Sequence, residues 1–348
     1  MGVSMLRLII SLCCAFALSL PAVSAVAAER GVHKQKSSAS ARGKLKSVKK
    51  KAIKTKKQVS GRKIIHTLRS NGKYRVRQAS YQPSESVFQE DNSGGELKLA
   101  SSKALIINQN TGEVLYAKST DLPTPIASVT KLMTAMVVLD AHQPMDELLT
   151  ISEAELDTLK GTSSRLRVGT TLSRRELLEL ALMASENRAA AALGNNYPGG
   201  FTAFVAAMNA KAAALGMTRS RFVDGTGLNS NNVATAEDLA KMVKAAYQYP
   251  EIRQASTTTG LDVPVHGVRR MVEFRNTNVL VRNSDWTIGL SKTGYINESG
   301  RCLVMQAQIA EQPLIIVLLD SWGKYTRIGD AQRIRKWIES SNDFRKVG

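Results

Sequence analysis

The chain has 348 residues, 43% of them hydrophobic, and a formal net charge of +19. That is room for one large domain or two smaller ones, with enough apolar material to exclude a chain without a core. The charge has the size of a nucleic-acid signal, but its distribution removes that reading. Eighteen Lys and Arg against one acid, Glu29, fall within residues 29–77, and the remainder is close to neutral. No aromatic residue stands among the lysines of 44–57 to stack on a base.

Residues 1–28 read as a secretory signal. Arg7 supplies a positive start, and 8–20 form an apolar stretch too short for a comfortable membrane span. Val23-Ser24-Ala25 and Val26-Ala27-Ala28 are small-residue cleavage sites. The competing reading is an uncleaved N-terminal anchor. Cys13 and Cys14 leave with a cleaved signal, and Cys302 alone cannot form an internal disulfide. The expected location is therefore the periplasm or cell envelope, with stability supplied by the core.

Residues 29–96 are expected to be a basic, disordered arm and its linker. Over 44–57 only Leu45, Val48 and Ile53 are large and apolar, too little to order the segment. Two readings stand side by side for 29–77: an electrostatic tether to an anionic envelope surface, or a solvated spacer. Pro83, Ser84, Asp91, Gly94 and Gly95 continue the linker.

The folded domain is expected over 97–340, with 341–348 a tail. Residues 104–107 and 114–117 flank Asn108-Gln109-Asn110-Thr111-Gly112, which predicts a hairpin. Pro123 and Pro125 hold the next segment extended. Residues 129–139 are then apolar on nearly every side, the mark of a helix buried between layers. Ser128 and Lys131 are the polar exceptions at its start, three apart and so on one helical face. Burial there makes a lysine basic and neutral, and a serine beside a base is an activated nucleophile. A plain N-cap with a snorkelling lysine is the competing reading.

Residues 151–172 are loop-rich. Ser173-Arg174-Arg175-Glu176 is a capping box that opens an apolar helix over 177–184. Ser185-Glu186-Asn187 follows, where a loop would carry polar groups inward. Helices are expected over 201–215 and 235–249, the second ended by Pro250. One or two short strands fit 261–283. Strands are expected over 287–295, 303–309 and 314–319, the last covered on both faces. A helix over 324–340 closes the domain. Strands at both ends of a largely helical middle imply an α+β fold, one antiparallel sheet completed by both ends with helices on its faces. His33, His66, His142 and His266 are scattered without a His-x-x-x-His pair, so neither a metal nor a cofactor is expected.

Three motifs now stand in order: Ser128-x-x-Lys131, Ser185-x-Asn187 and Lys292-Thr293-Gly294. With Ile126-Ala127, residues 132–140, 181–191 and Phe274-Arg275-Asn276-Thr277-Asn278, they make the chain resemble the D-alanyl-D-alanine endopeptidases. These are low-molecular-mass penicillin-binding proteins of the D-Ala-D-Ala carboxypeptidase family, with a beta-lactamase/transpeptidase-like fold. The resemblance implies a peptidoglycan cross-link endopeptidase inhibited covalently by beta-lactams. It implies that Ser128 forms the acyl-enzyme, Lys131 takes its proton and Ser185 relays a proton to the leaving amine. Asn187, Lys292 and Thr293 would bind substrate, and Gly294 would let it pass along the strand. The amides of Ser128 and Tyr295 would form the oxyanion hole.

Glu186 departs from the aspartate of the common Ser-Asp-Asn form. No Glu-x-x-Leu-Asn segment occurs in 151–172, so beta-lactam turnover should be slow. No C-terminal beta domain or amphipathic anchor is read after the last helix, which favours the soluble endopeptidase branch. A D-Ala-D-Ala carboxypeptidase, a beta-lactamase and a non-catalytic wall-binding module remain as alternatives.

Overall fold

A computed structural model describes residues 97–347. The readings made above for the signal, the basic arm and the linker lie outside the described residues. Leu97 and Leu99 are buried and lead into strands β1 (Lys103–Asn108) and β2 (Val114–Lys118). Asn108 closes their turn: its side-chain oxygen accepts from the amides of Asn110 and Thr111, and its carbonyl from that of Gly112.

After β3 (Thr124–Pro125) comes a single 3₁₀ turn, Ala127–Thr130, and then α1 (Lys131–Asp140). Ser128 thus sits on the turn before the helix and Lys131 is the helix's first residue, a correction to the shared helical face expected from the spacing. Nearly all of α1 is buried. Strands β4 (Leu148–Thr150) and β5 (Thr171–Ser173) pair across the intervening loop. Then α2 (Arg174–Met183) opens on the expected capping box: Ser173 Oγ accepts from the Glu176 amide and the Glu176 carboxylate from the Ser173 amide.

Only residues 184–186 separate α2 from α3 (Asn187–Asn195), so Asn187 lies on a helix and not in the expected loop. Helix α4 (Gly200–Ala214), the short β6 (Val233–Ala234) and α5 (Ala236–Ala246) follow. Pro250 does not merely stop α5. It is the first residue of α6 (Pro250–Thr257), where its missing N–H costs nothing. Where one or two short strands were expected in 261–283, two are found, β7 (Gly260–Val263) and β8 (Val272–Arg275).

Strands β9 (Thr287–Ile296), β10 (Gly300–Ile309) and β11 (Gln312–Ser321) complete a five-stranded antiparallel sheet in the order β2-β1-β11-β10-β9. The first and last strands of the domain therefore lie side by side at its centre, with Ile106 opposite Ile316. The closing helix, α7 (Thr326–Val347), is longer than expected.

Side chains alternate across this sheet with a period of two. Leu105, Val304, Ile315 and Val317 face the helical lobe. Ile106, Leu303, Leu314 and Ile316 face Ala331, Ile334 and Ile338 of α7. Both faces are thus covered by helices, and each fully buried aliphatic side chain contributes about 2 kcal/mol. Strand β9 forms one edge, and its outer side borders the helical lobe.

Asp330 of α7 ties the two ends together. Fully buried, it accepts from the amides of Ala100 and Ser101 at 3.0 and 2.8 Å and from Ser101 Oγ at 2.5 Å. Replacing Asp330 by alanine orphans these donors and the nearby Arg333. A loss of about 3 kcal/mol is expected, read as a lower urea midpoint.

Candidate active site

The turn bearing Ser128 is held by two close approaches. Ala127 has φ 46°, in the left-handed region that costs a residue with a side chain about 1–2 kcal/mol. On one side stands Gly227, also left-handed at φ 80°, where an added Cβ would lie 1.9 Å from the Ala127 carbonyl oxygen. On the other, a Cβ on Gly294 of β9 would lie 2.9 Å from the Ile126 oxygen and 3.2 Å from the Ser128 amide nitrogen. Gly294 therefore lets the strand abut the serine turn. This contact is a second reason for a glycine there, beside the expected passage of substrate along the strand.

Lys131 is fully buried at the head of α1. Its Nζ lies 2.8 Å from Ser128 Oγ, 2.8 Å from Asn187 Oδ1 and 2.6 Å from the Thr226 carbonyl oxygen. Burial outweighs the attraction of Asp224 and Glu186 and lowers its pKa to about 7. A neutral amine has two N–H groups and one lone pair. Thr226 O and Asn187 Oδ1 can only accept, so they take both hydrogens. The lone pair is left for Ser128 Oγ. That serine hydroxyl thus has an acceptor for its proton, which is the condition for an activated nucleophile. The Asn187 amide is oriented by its other end, which donates to Thr162 Oγ1 at 3.1 Å.

A second hydroxyl–amine pair stands beside the first. Ser185, at φ 59°, fills the short link between α2 and α3. Lys292 of β9, also buried, donates to Ser185 Oγ at 2.9 Å and to the Thr293 carbonyl at 2.8 Å. Its pKa is held well below the ordinary lysine value, first by burial and then by repulsion from Lys131 and Arg327. Thr293 Oγ1 donates to Thr277 Oγ1 at 2.7 Å. The arrangement supplies a nucleophile with its base, and a second hydroxyl on a cation-bearing strand.

Of the residues expected here, Ser128, Lys131 and Asn187 meet directly, Ser185 and Lys292 meet directly, and Gly294 packs on the serine turn. Tyr295, whose amide is the group expected here, follows Gly294 on β9, and its half-exposed ring carries the Arg301 guanidinium 4.4 Å above it. Glu186 accepts from Ser164 Oγ with both carboxylate oxygens, 2.8 and 2.9 Å away, and so anchors the 157–166 loop. Among the described residues no group of His, Cys, Asp and Glu could hold a metal.

Sequence reasoning missed Thr226, Thr277 and Thr162. Thr226 had a signal: Asp224 Oδ1 accepts from the amides of Thr226 and Gly227 at 2.6 and 2.7 Å, the turn an Asp-x-Thr-Gly run favours. Thr277 lies in a segment that carried the resemblance but had no role assigned. Thr162 had no local signal.

Because Gly227 has neither room nor the right φ for a side chain, Gly227→Ala must push the serine turn off Lys131. The expected outcome is a melting temperature lower by several degrees and a fall of at least about tenfold in Ser128 reactivity toward a fluorescent penicillin.

A profile of the peptidase family described as D-alanyl-D-alanine carboxypeptidase matches residues 89–323. A D-alanyl-D-alanine endopeptidase of Pseudomonas aeruginosa is 54% identical over 70% of this chain and 78% of its own length. One of Escherichia coli is 49% identical over the same shares. The crystal structure of the Streptomyces K15 DD-transpeptidase superposes with a TM-score of 0.63 at 30% identity, covering 69% of this chain and 97% of that one. Family profile, relatives and fold converge, and the chain belongs to the D-alanyl-D-alanine carboxypeptidase family of peptidases and is a hydrolase.

Proposed function

We propose that the chain is an exported serine peptidase that cleaves D-alanyl bonds in peptidoglycan cross-links through an acyl-enzyme at Ser128. The observation that carries this reading is the Lys131 amine. Two of its three neighbours can only accept, so its lone pair falls to Ser128 Oγ, 2.8 Å away.

Ser128 Oγ attacks the carbonyl of the D-alanyl bond as Lys131 takes its proton. The oxygen that gains charge rests on the amides of Ser128 and Tyr295, which Gly294 brings close. Ser185, held by Lys292, passes a proton to the leaving amine as the C–N bond breaks. The proton that Lys131 received replaces the one Ser185 gave up, which leaves Lys131 neutral again. Water then attacks the ester and gives a proton to Lys131, which hands it to Ser128 Oγ as the ester C–O bond breaks. Asn187 takes the substrate's side amide. Lys292 and Thr293 face its carboxylate.

The endopeptidase branch is preferred because the relatives at 54% and 49% identity carry that name. Carboxypeptidase action on the same bond type is the second reading. Beta-lactams acylate the same serine, and the acids of the nearby loop favour slow release. Glu155 bonds Ser152 and Asn195, and Asp157 bonds Leu159, Lys160 and Thr162, which leaves neither free to activate water. Export rests on residues 1–28, and the anionic-surface tether on residues 29–77.

Intact mass and peptide mapping after incubation with penicillin should find one adduct, on Ser128, that persists over minutes. Ser128→Ala should carry none. Adduct formation at any other residue, or rapid hydrolysis of the drug, contradicts the reading. The second-order rate of acylation should also follow pH. Only neutral Lys131 accepts the proton, so the rate should rise about tenfold per unit below pH 7 and level off above it.

A further inference from the structure

Beyond Tyr295 the sheet opens onto a cleft that the chemistry above leaves unused. Its volume is about 300 Å³, and Tyr295, Asn297, Arg301, Ser321, Trp322 and Lys324 line it. The antiparallel register sets Tyr295 opposite Arg301, and Arg301 opposite Ser321. These three side chains therefore form one cross-strand row on a single face of the sheet. Trp322 and Tyr325 follow directly from the end of β11 and are 70% and 61% exposed. Such large rings stand in water at a cost unless something covers them.

The cleft is also cationic. Arg301 lies over the Tyr295 ring, and the Lys324 amine is 5.2 Å from the centre of the Tyr325 ring. Behind the lining, Arg327, the second residue of α7, is nine-tenths buried with its Nε unpartnered. Two carboxylates stand near. Asp320 lies 4.0 Å from Lys103 Nζ, and Glu298 is bonded to Lys160 across the site. Among the described residues no carboxylate pairs with Arg301, Lys324 or Arg327. Aromatic faces beside unpaired cations suit an extended chain that bears carboxylates.

Its position says which chain. Gly294 touches the Ser128 turn, and Tyr295 is the next residue along the same strand. Thr293 and Tyr295 share one face of β9, about 7 Å apart along the strand. A ligand whose carboxylate rests at Thr293 and continues past Tyr295 enters the cleft. We propose that the cleft is the subsite for the peptide on the leaving side of the scissile bond, a carboxylate-bearing stem of the cross-link. This rests on the peptidase reading and deepens it. A leaving D-alanine is one small residue and ends short of the cleft. The leaving half of a cross-link is a whole peptide and reaches it, so the cleft would favour endopeptidase over carboxypeptidase substrates.

The test compares the full chain with its Trp322→Ala and Arg301→Gln variants. Substrates are a purified cross-linked muropeptide dimer and the monomeric pentapeptide, and fluorescent penicillin reports on the serine. The expected result is a fall of about tenfold or more in the ratio of kcat/KM for dimer to that for pentapeptide, with penicillin acylation within about twofold of the parent. An unchanged ratio, or equal loss with all three reagents, overturns the assignment. If the parent chain cleaves neither peptide, the peptidase reading itself falls. If it cleaves both and the ratio does not move, the cleft alone is misassigned.

Discussion

A buried lysine with no carboxylate in contact is what the rest of this molecule is arranged around. Taking an ammonium group out of water costs several kcal/mol, and a protein tolerates it by letting the group become neutral. Lys131 follows that course. Its Nζ is bonded to the serine turn, to α3 through Asn187 and to the 224–229 loop through Thr226. Three separate parts of the helical lobe thus meet at one nitrogen. The charges nearest to it, Asp224 and Glu186, act only at a distance and do not restore the ordinary lysine pKa. Asp224 is spent organising its own turn, and Glu186 on Ser164.

That arrangement depends on close backbone packing as much as on side chains. The serine turn is pinched between Gly227 and Gly294, which come from distant parts of the sequence and both approach within reach of a missing Cβ. Left-handed Ala127 and Ser185 store further strain at the two hydroxyl-bearing segments. Strain of this kind persists only where the surroundings over-determine it. Here the surroundings are a sheet packed on both faces and closed by its own two ends, with Asp330 bolting α7 to the entry of β1. The stability of the core is what allows the reacting groups to be held in costly positions.

How much of this was legible in the sequence depends on range. The buried helix after Ser128 was legible because its apolar run is unbroken. The two-faced strand over 314–319 was legible for the same reason. The three motifs were legible because each places its polar residues at a junction between elements. What escaped was made by tertiary contact. The Asp-x-Thr-Gly run marks a turn at Thr226, but the carbonyl that meets Lys131 is a backbone atom any residue type would supply, so its partner is not marked. The packing of Gly294 on the serine turn was not legible because that turn lies more than 160 residues away in the chain. The helical position of Asn187 escapes the sequence because a polar Ser-Glu-Asn run hides a helix start whose cap makes no side-chain bond. Pro250 marks both an end and a beginning, since its fixed φ suits the first turn of a helix as well as it stops the one before.

The whole account turns on one protonation state, and that state can be observed directly. The side-chain resonances of Lys131, assigned against a Lys131→Arg variant, should be followed by NMR across the pH range. The account predicts a midpoint near pH 7, with the neutral amine dominant above it. A midpoint at the ordinary lysine value of about 10.5 would mean that Lys131 is an ammonium at neutral pH and cannot receive the proton of Ser128.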